Sequence, residues 1–200
     1  MGKGDVTRQQ ILDHAVALAS QVGLGGLTIG SLADNLNLSK SGLYAHFQSK
    51  EALQLKTLEA GAAKFIDVVV RPSLKAPRGE PRLRALFEHW ARWPEQSSLK
   101  GGCLFVQVAA EFDDLPGPVR EQLVRLQRDW LDIIVNSARG AISEGHFSED
   151  VDAEQFAYEF YAIELMYHHA TRLLRDPKAE ERARKAFDTL LTSRRAMATA

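Results

Sequence analysis

Apolar residues recur at helical spacing in nearly every segment of this chain, and no segment shows the sustained alternation of apolar and polar residues that is typical of a β-strand. Glycine and proline interrupt the helical pattern at intervals, so the pattern predicts a series of separate helices. The sequence therefore predicts an all-α fold, and its 200 residues are enough for one or two domains.

The composition narrows the class of protein further. Hydrophobic residues make up 45% and charged residues 26%, as in ordinary globular proteins. Cys103 is the only cysteine, so no disulfide can form within the chain and a reducing compartment is favoured. No apolar run approaches the ~18 residues of a membrane span. The first residues resemble neither a signal peptide nor, with Val6 in place of Ser or Thr, a myristoylation signal. We expect a cytoplasmic protein without membrane association.

The first part of the chain predicts two consecutive helices. The first opens at Thr7, which can cap it, and ends at Gly23 and the Gly25-Gly26 pair. Thr28 can cap a short second helix. The apolar positions of this second helix are Ile29, Leu32, Ala33 and Leu36.

A turn and two further helices follow. Asn37 tolerates the left-handed conformation that reverses the chain, and Ser39 can cap a third helix that runs to about Phe47. Ser49 can cap a longer fourth helix, which Pro72 should end or kink. Two short helices joined by a three-residue turn form a helix-turn-helix, whose second helix fits the DNA major groove.

The third helix has one apolar and one polar side. Four residues are expected to face inward: Leu36, Leu38, Leu43 and Phe47. Small residues and basic residues then surround an outward Tyr44: Lys40, Ser41, Gly42, Ala45, His46 and, in the next helix, Lys50. The Tyr44 hydroxyl can bond a phosphate, and the small residues leave room for base edges. The residues alone also allow Tyr44 to be a packing residue and the lysines to be ordinary solvated charges.

The net charge of −1 provides no general attraction to nucleic acid, so a prediction of DNA binding depends on the helix-turn-helix motif. The stretch from Thr28 to Phe47, followed by Gln48-Ser49-Lys50-Glu51-Ala52-Leu53, resembles the DNA-binding signature of the TetR (tetracycline-repressor-like) family. Its most specific part is Leu43-Tyr44-x-His46-Phe47-x-Ser49-Lys50-Glu51. Asn37 stands where the family usually has glycine, and asparagine is the next-best residue for that turn. The stretch from Gly102 to Arg120 also resembles the C-terminal domains of some TetR-like regulators.

This resemblance implies an all-helical homodimer. Residues 1–50 would form a three-helix DNA-binding head, and residues 51–200 a helical effector-binding and dimerisation domain whose segment 51–71 is the connecting helix. The function implied is that of a ligand-responsive repressor, released from a palindromic double-stranded DNA operator by a small, largely apolar effector. Thr28, Tyr44 and Lys50 would bind phosphates. Five residues would lie at or near the groove: Ser39, Lys40, Ser41, Gly42 and His46.

The rest of the chain predicts five longer helices, near residues 82–95, 99–113, 118–144, 153–175 and 178–193. The breaks between them are expected at Pro94, Pro116-Gly117-Pro118, Gly145 and Pro177. In two of these helices a second apolar stripe accompanies the core stripe. The stripes are Val124, Leu131, Val135, Ala138 and Ile142 in one, and Ala162, Leu165, Met166, His169 and Leu173 in the other. These stripes predict a four-helix dimer interface about a twofold axis.

A surplus of aromatic residues suggests an effector pocket in the same region. The candidates, with polar groups that could orient an apolar guest, are Phe87, Trp90, Trp93, Cys103, Phe105, Phe112, Trp130, Phe160, Tyr161, Glu164, Tyr167 and His168. For any single one of these aromatic residues, simple core packing is the more common explanation, because aromatic residues at helical spacing usually belong to the core.

Two other classes of function stay open at this point. Glu164 and His168 are four residues apart on one helix face and could share a metal in an enzyme, but a di-iron bundle needs Glu-x-x-His in duplicate, which this chain lacks. A helical interaction protein that does not bind DNA is the third reading. Cys103 is either a small buried hydrophobe or a redox sensor. We expect no catalytic residue, metal or cofactor.

Overall fold

The computed structural model describes residues 3–196, with only the backbone described for residues 3–7. Apart from one isolated antiparallel bridge between Phe147 and Arg195, this part of the chain consists of helices and their connections, so the all-α prediction is confirmed. The helices are α1 (Lys3–Gly26), α2 (Ile29–Leu36), α3 (Lys40–Phe47), α4 (Lys50–Phe65), α5 (Arg71–Ser73), α6 (Glu80–Gln96), α7 (Leu104–Phe112), α8 (Pro118–Ser143), α9 (Ala153–Arg172) and α10 (Ala179–Arg194).

The first helix starts earlier than predicted. It begins at Lys3, which places the backbone of Thr7 inside the helix rather than at its cap, and the side chain of Thr7 lies outside the described residues. Gly23 interrupts the helical winding with φ 73° and ψ 173°, a conformation that residues with a Cβ rarely adopt. The predicted glycine break near the end of α1 is therefore confirmed at Gly23.

The fourth helix changes its winding before the proline. After α4 the chain forms a π-helical turn over Ile66–Val70 and then the short α5, in which Pro72 occupies the first turn. A proline is accepted there because the first amides of a helix have no intrahelical partner. The helical path ends at Ser73, close to the predicted position, but its irregularity lies at Ile66 rather than at the proline.

Two predictions for the later helices were wrong. Pro94 lies inside α6, which continues to Gln96, because a proline near the end of a helix removes only one of the last backbone hydrogen bonds. The next helix, α7, begins at Leu104 rather than near residue 99. Turns that include Gly102, with φ 88°, occupy the intervening residues. The remaining helices start and end within three residues of the predicted positions.

The described residues pack into two units. One consists of residues 3–66 and 93–126, and the other of residues 67–92 and 127–196. These units divide the chain differently from the predicted segments 1–50 and 51–200, because α7 packs against α1 in the first unit. The functional division into head and effector domain remains a prediction.

Aromatic rings fill much of the core of the second unit. The ring of Phe87 stacks on Phe187 with 4.3 Å between centroids, and Phe160 meets both rings edge-on. At the edge of this core Glu80 pairs with Arg195 and Arg84, and these hydrogen-bonded guanidinium groups lower the pKa of Glu80. Within residues 3–196 no helix has the length and apolar character needed to cross a membrane.

Candidate DNA-binding surface and effector site

The second helix is fixed at both ends by local hydrogen bonds. Thr28 Oγ1 accepts the amide of Ser31 at 2.9 Å, and Ser31 Oγ accepts the amide of Thr28 at 3.0 Å, which makes a reciprocal capping box. At the other end Asn37 adopts the left-handed conformation, with φ 53° and ψ 38°. The sequence-based roles of Thr28 as a cap and Asn37 as the reversing residue are confirmed.

The third helix presents the face that the sequence predicted. Ser39 Oγ accepts the amide of Gly42 at 3.1 Å, while Leu43 and Phe47 are buried on the inner side. Tyr44 is 57% exposed on the outer side. All eight residues assigned to DNA binding are exposed: Thr28, Ser39, Lys40, Ser41, Gly42, Tyr44, His46 and Lys50. The packing interpretation of Tyr44 is therefore wrong.

Leu38 does not join the inward face. Its side chain is 42% exposed, although the sequence placed it inward with Leu43 and Phe47. The reason is that Leu38 follows the left-handed Asn37, so it lies in the turn and no longer continues the helical periodicity of α2. The surface beside the turn is consequently more apolar than predicted.

Lys50 is the first residue of α4, and its side chain turns back to the end of α1. Its Nζ donates to the carbonyl of Gly25 at 2.6 Å, while Ser49 Oγ caps the helix by accepting the amide of Ala52 at 3.0 Å. An ammonium group has three donors, so this bond leaves Lys50 able to donate to another acceptor as well. The site thus combines hydroxyl groups, an exposed phenol and cations, which are the groups that bind DNA phosphates.

The predicted effector residues fall into both units. Trp93, Cys103, Phe105 and Phe112 belong to the first unit, where Trp93 stacks on Phe105 and both meet Phe65 edge-on. Cys103 is buried at the start of α7, so it behaves as a small core residue there. The other eight candidates belong to the second unit: Phe87, Trp90, Trp130, Phe160, Tyr161, Glu164, Tyr167 and His168. Of these, Phe87 and Phe160 are core residues packed around Phe187.

A buried polar group lies between α8 and α9 of the second unit. Glu164 is completely buried, and its Oε2 accepts the indole N–H of Trp130 at 2.9 Å. Its other oxygen, Oε1, has no hydrogen-bond partner among the described residues. Burial raises the pKa of Glu164 well above its usual range, and the bond from Trp130 opposes that shift.

Two tyrosines of α9 contact side chains of other helices in the second unit. Tyr161 donates its hydroxyl to Gln127 Oε1 at 2.6 Å, and Tyr167 packs against Trp90 with 6.1 Å between ring centroids. Gln127 was missed by the sequence reasoning, although its position one turn before Trp130 on α8 could have identified it. Among the side chains that the structure describes, within residues 8–196, no cluster of three or more His, Cys, Asp or Glu could hold a metal ion.

The predicted dimer residues divide by helix. Those of α9, together with Leu173 directly after it, are exposed, as the prediction requires: Ala162, Leu165, Met166, His169 and Leu173. On α8, however, Val135 and Ala138 are only 8% and 0% exposed. They pack within their own chain, so the prediction was wrong for these two positions, while Val124, Leu131 and Ile142 are partly exposed.

The exposed face of α9 continues onto α10, which the sequence reasoning did not include. Between the two helices runs a groove of about 410 Å³. Its lining includes Ala162, Met166 and Ala170 of α9, Leu174 after it, and Ala183 and Ala186 of α10. Five large apolar side chains are exposed in this region: Tyr158, Leu165, Met166, Leu173 and Leu174.

Two family models match this chain. Residues 11–56 match bacterial regulatory proteins of the tetR family, and residues 79–187 match the tetracyclin repressor-like C-terminal domain. A curated relative, the biofilm operon icaADBC HTH-type negative transcriptional regulator IcaR of Staphylococcus epidermidis, is 33% identical over 64 residues. That alignment covers 32% of this chain and 35% of IcaR, so the chain matches about a third of that relative's length.

Solved structures resemble almost the whole chain. A TetR transcriptional regulator from Chloroflexus aurantiacus is 26% identical, with a TM-score of 0.85 over 98% of this chain and 100% of that chain. AibR, solved in complex with isovaleryl coenzyme A and operator DNA, is 22% identical, with a TM-score of 0.67 over 87% of this chain and 94% of that chain. The likeness to AibR shows the fold alone.

Proposed function

The chain belongs to the TetR family of bacterial regulatory proteins, and from that premise we propose that it is a transcriptional repressor that binds a palindromic DNA operator as a homodimer and is released by a small, largely apolar effector. The observation that carries this proposal is the outer face of α3. There an exposed Tyr44 stands beside Ser41 and Gly42, on a helix held from the other side by the buried Leu43 and Phe47.

This face suits close approach to a DNA groove. Ser41 and Gly42 have almost no side chain to hold a base edge away, and Lys40 can donate to guanine acceptors in the major groove. Tyr44 and Lys50 have donors for phosphate oxygens, which position a protein without reading sequence. The first turn of α3 would therefore select the bases, and the residues around it would fix the position of the protein along the DNA.

A homodimer is supported by the α9–α10 surface. Met166 is 54% and Leu174 57% exposed in the groove, and such exposed apolar side chains around a groove favour a protein partner. A second copy of the same surface would cover it through a twofold axis. The two heads would then read half-sites ~34–36 Å apart, or a multiple of that distance, on a palindromic operator.

The effector proposal rests on Glu164 and its aromatic neighbours. Oε1 of this buried carboxyl has no partner among residues 3–196, so a guest with a complementary polar atom would remove an unfavourable unsatisfied group. The rings of Trp130, Tyr161 and Tyr167 suit an otherwise apolar guest. AibR, solved with both isovaleryl coenzyme A and operator DNA, is a precedent in this fold for a protein that binds both kinds of partner.

Release would follow from unequal affinity of the effector for two arrangements of the heads. An effector that prefers the arrangement with widely spaced heads by ~1–3 kcal/mol weakens DNA binding about 5- to 150-fold. We propose that α4 transmits this change. The π-helical turn at Ile66–Val70 supports that role, because such turns are frequent at functional positions in helices.

Selection of genomic DNA fragments by the purified protein, followed by footprinting, tests the proposed function. The expected result is protection of a palindrome by the wild-type protein and loss of protection by Tyr44→Ala. The exposed Leu115→Ala, outside α1 to α4, is the matched control and should protect the same bases. If the wild-type protein binds no genomic fragment more tightly than a scrambled sequence, the proposal is wrong. The alternatives are then an enzyme or an interaction protein.

A further inference from the structure

The end of α1 is held by side chains from outside the helix-turn-helix. It contains Gly23, with its positive φ, and Gly25, and only Leu27 separates α1 from the Thr28 cap of α2. Its backbone groups bind side chains from α4 and α7. The position of this segment therefore determines where the helix-turn-helix begins.

Glu111, near the end of α7, binds this segment. Its Oε2 accepts the amide of Gly25 at 2.8 Å. Its Oε1 fills the space that the missing side chain of Gly23 leaves, since a Cβ built on Gly23 would lie 1.7 Å from that oxygen. Glu111 and Gly25 are 86 positions apart in the chain, so no local preference explains the contact.

Lys50 binds the same residue from the other side. The carbonyl of Gly25 accepts the Lys50 ammonium at 2.6 Å, so Gly25 binds Glu111 through its N–H and Lys50 through its C=O. The carbonyl of Leu24 accepts the buried Gln54 amide at 2.7 Å. Three side chains, one from α7 and two from α4, thus hold two successive residues.

The surrounding contact between α7 and the first helices is tight. The amide of Gly101 donates to Ser20 Oγ at 3.2 Å, and a Cβ on Gly101 would lie 1.5 Å from the backbone oxygen of Ser20. A Cβ on Gly61 would lie 2.8 Å from Leu104. The backbone before α7 thus lies against α1, and the Leu104 side chain at the start of α7 lies against α4, so Glu111 is carried on a closely packed support.

We propose that Glu111 is a positioning residue for DNA binding: through Gly25 it sets the location of the Lys50 ammonium and of the Thr28 cap. The inference rests on the proposed DNA-binding function. It assigns a determinant of operator affinity to α7, which lies within the segment 79–187 that matches the C-terminal domain model rather than within the head. A change in the effector domain could reach the DNA-binding surface through this contact.

Two substitutions separate the contact from the charge. Glu111→Asp keeps the charge but shortens the side chain by one methylene, which removes it from hydrogen-bond reach of the Gly25 amide. Glu111→Gln removes the charge but keeps an oxygen that can accept the same N–H. Glu95→Gln, at an exposed glutamate of α6, is the control for loss of one negative charge.

The readout is operator affinity as a function of salt, with fragments selected by the wild-type protein. We expect Glu111→Asp to weaken binding about tenfold, since a hydrogen bond to a charged group is lost. The slope of log K against log salt should fall by about one per head, as a displaced phosphate contact requires. Glu95→Gln should stay within about twofold of the wild type in affinity, and Glu111→Gln, which keeps a neutral acceptor for the same N–H, should lose less affinity than Glu111→Asp. In a Lys50→Ala background, Glu111→Asp should produce no further fall in slope.

Different outcomes overturn different claims. If the wild-type protein binds selectively but Glu111→Asp binds equally well, or if the Asp and Gln variants lose affinity equally, the positioning role is wrong and the proposed function stands. A further loss of slope in the Lys50→Ala background also contradicts a route through Lys50. If the wild-type protein binds no DNA selectively, the proposed function fails and the inference fails with it. Thermal unfolding of each variant checks that the fold is retained.

Discussion

Trp130 donates its indole N–H to Oε2 of Glu164 over 2.9 Å, and both side chains are buried between α8 and α9. The bond satisfies only one side of the carboxyl group, because Oε1 has no partner in the part of the chain that the structure describes. A group in this environment resists ionisation, since burial disfavours the charged form. Glu164 is therefore both a titratable element of stability and the polar centre of the proposed effector site.

The first prediction concerns pH and stability. Because the folded chain holds the Glu164 proton more tightly than the unfolded chain, the free energy of unfolding falls as the pH rises from the ordinary glutamate pKa of 4.5 towards the raised value. Within that window the loss is up to about 1.4 kcal/mol per pH unit. Glu164→Gln cannot ionise, so urea unfolding from pH 5 to pH 8 should show the difference between variant and wild type shrink or reverse. Parallel curves would contradict the raised pKa, and the exposed Glu95→Gln serves as the control.

Lys50→Ala should weaken binding to every DNA sequence. The substitution removes the Gly25 contact and the proposed phosphate contact together, so the salt slope should fall by about one per head while base preference is kept. Lys75→Ala, at an exposed lysine outside α1 to α4, should leave the slope unchanged. Anisotropy titrations at several salt concentrations measure both values. An unchanged affinity and slope for Lys50→Ala would refute the phosphate assignment.

Substitutions at the start of α3 should change which bases are preferred. Lys40 and Ser41 are exposed on the first turn, where the side chains of a recognition helix reach base edges. Lys40→Ala and Ser41→Ala are expected to lower discrimination at particular operator positions by about 1–3 kcal/mol, measured on a set of single-base operator variants. A uniform loss across all operator variants would show that these residues contact only the backbone.

Much of the helix-turn-helix was predictable because its determinants are local. Thr28 and Ser39 cap helices through amides three residues away, and Asn37 reverses the chain by its own conformational preference. The same local reasoning missed Leu38, because the left-handed residue before it breaks the periodicity on which an inward assignment depends.

Long-range contacts could not be inferred from the sequence. Glu111 reads as an ordinary helix glutamate, and nothing near it indicates the amide of Gly25 as its partner. The aromatic candidates for the effector pocket lie in two different units, with Trp93 in one and Trp130 in the other. Helical periodicity does not encode which helices pack together, so the sequence could not separate these candidates. The groove beside α9 is formed by α9 and α10 together. It can be recognised only when the positions of both helices are known.

A pair of glycine substitutions tests the tight packing beside α7. Gly101→Ala should destabilise the protein by about 1–3 kcal/mol, because the new Cβ would overlap the Ser20 backbone rather than a movable side-chain end. At Gly140, inside α8, the nearest atoms to a new Cβ lie 3.9 Å away, at ordinary contact distance, so Gly140→Ala should stabilise by about 0.5–1 kcal/mol. Chemical denaturation measures both. Equal stabilities of the two variants would contradict the close approach at Gly101.

The proposed dimer surface can be tested by charge insertion. Met166→Asp places a carboxylate in the α9–α10 groove, so the dimer should dissociate at concentrations where the wild type is dimeric. Leu115→Asp, at a similarly exposed leucine outside the groove, is the matched control and should remain dimeric. Sedimentation equilibrium distinguishes the two states. A Met166→Asp variant that dimerises as tightly as the control would place the interface elsewhere.

The central claim is sequence-selective DNA binding by the helix-turn-helix. The most direct measurement is a fluorescence anisotropy titration of the DNA upstream of this protein's own gene and of the genomic fragments it selects, with a scrambled competitor at two salt concentrations. The account predicts selective binding with two protomers per operator and a Tyr44→Ala variant that binds weakly. No preference for any fragment over the scrambled DNA, at either salt concentration, would contradict it.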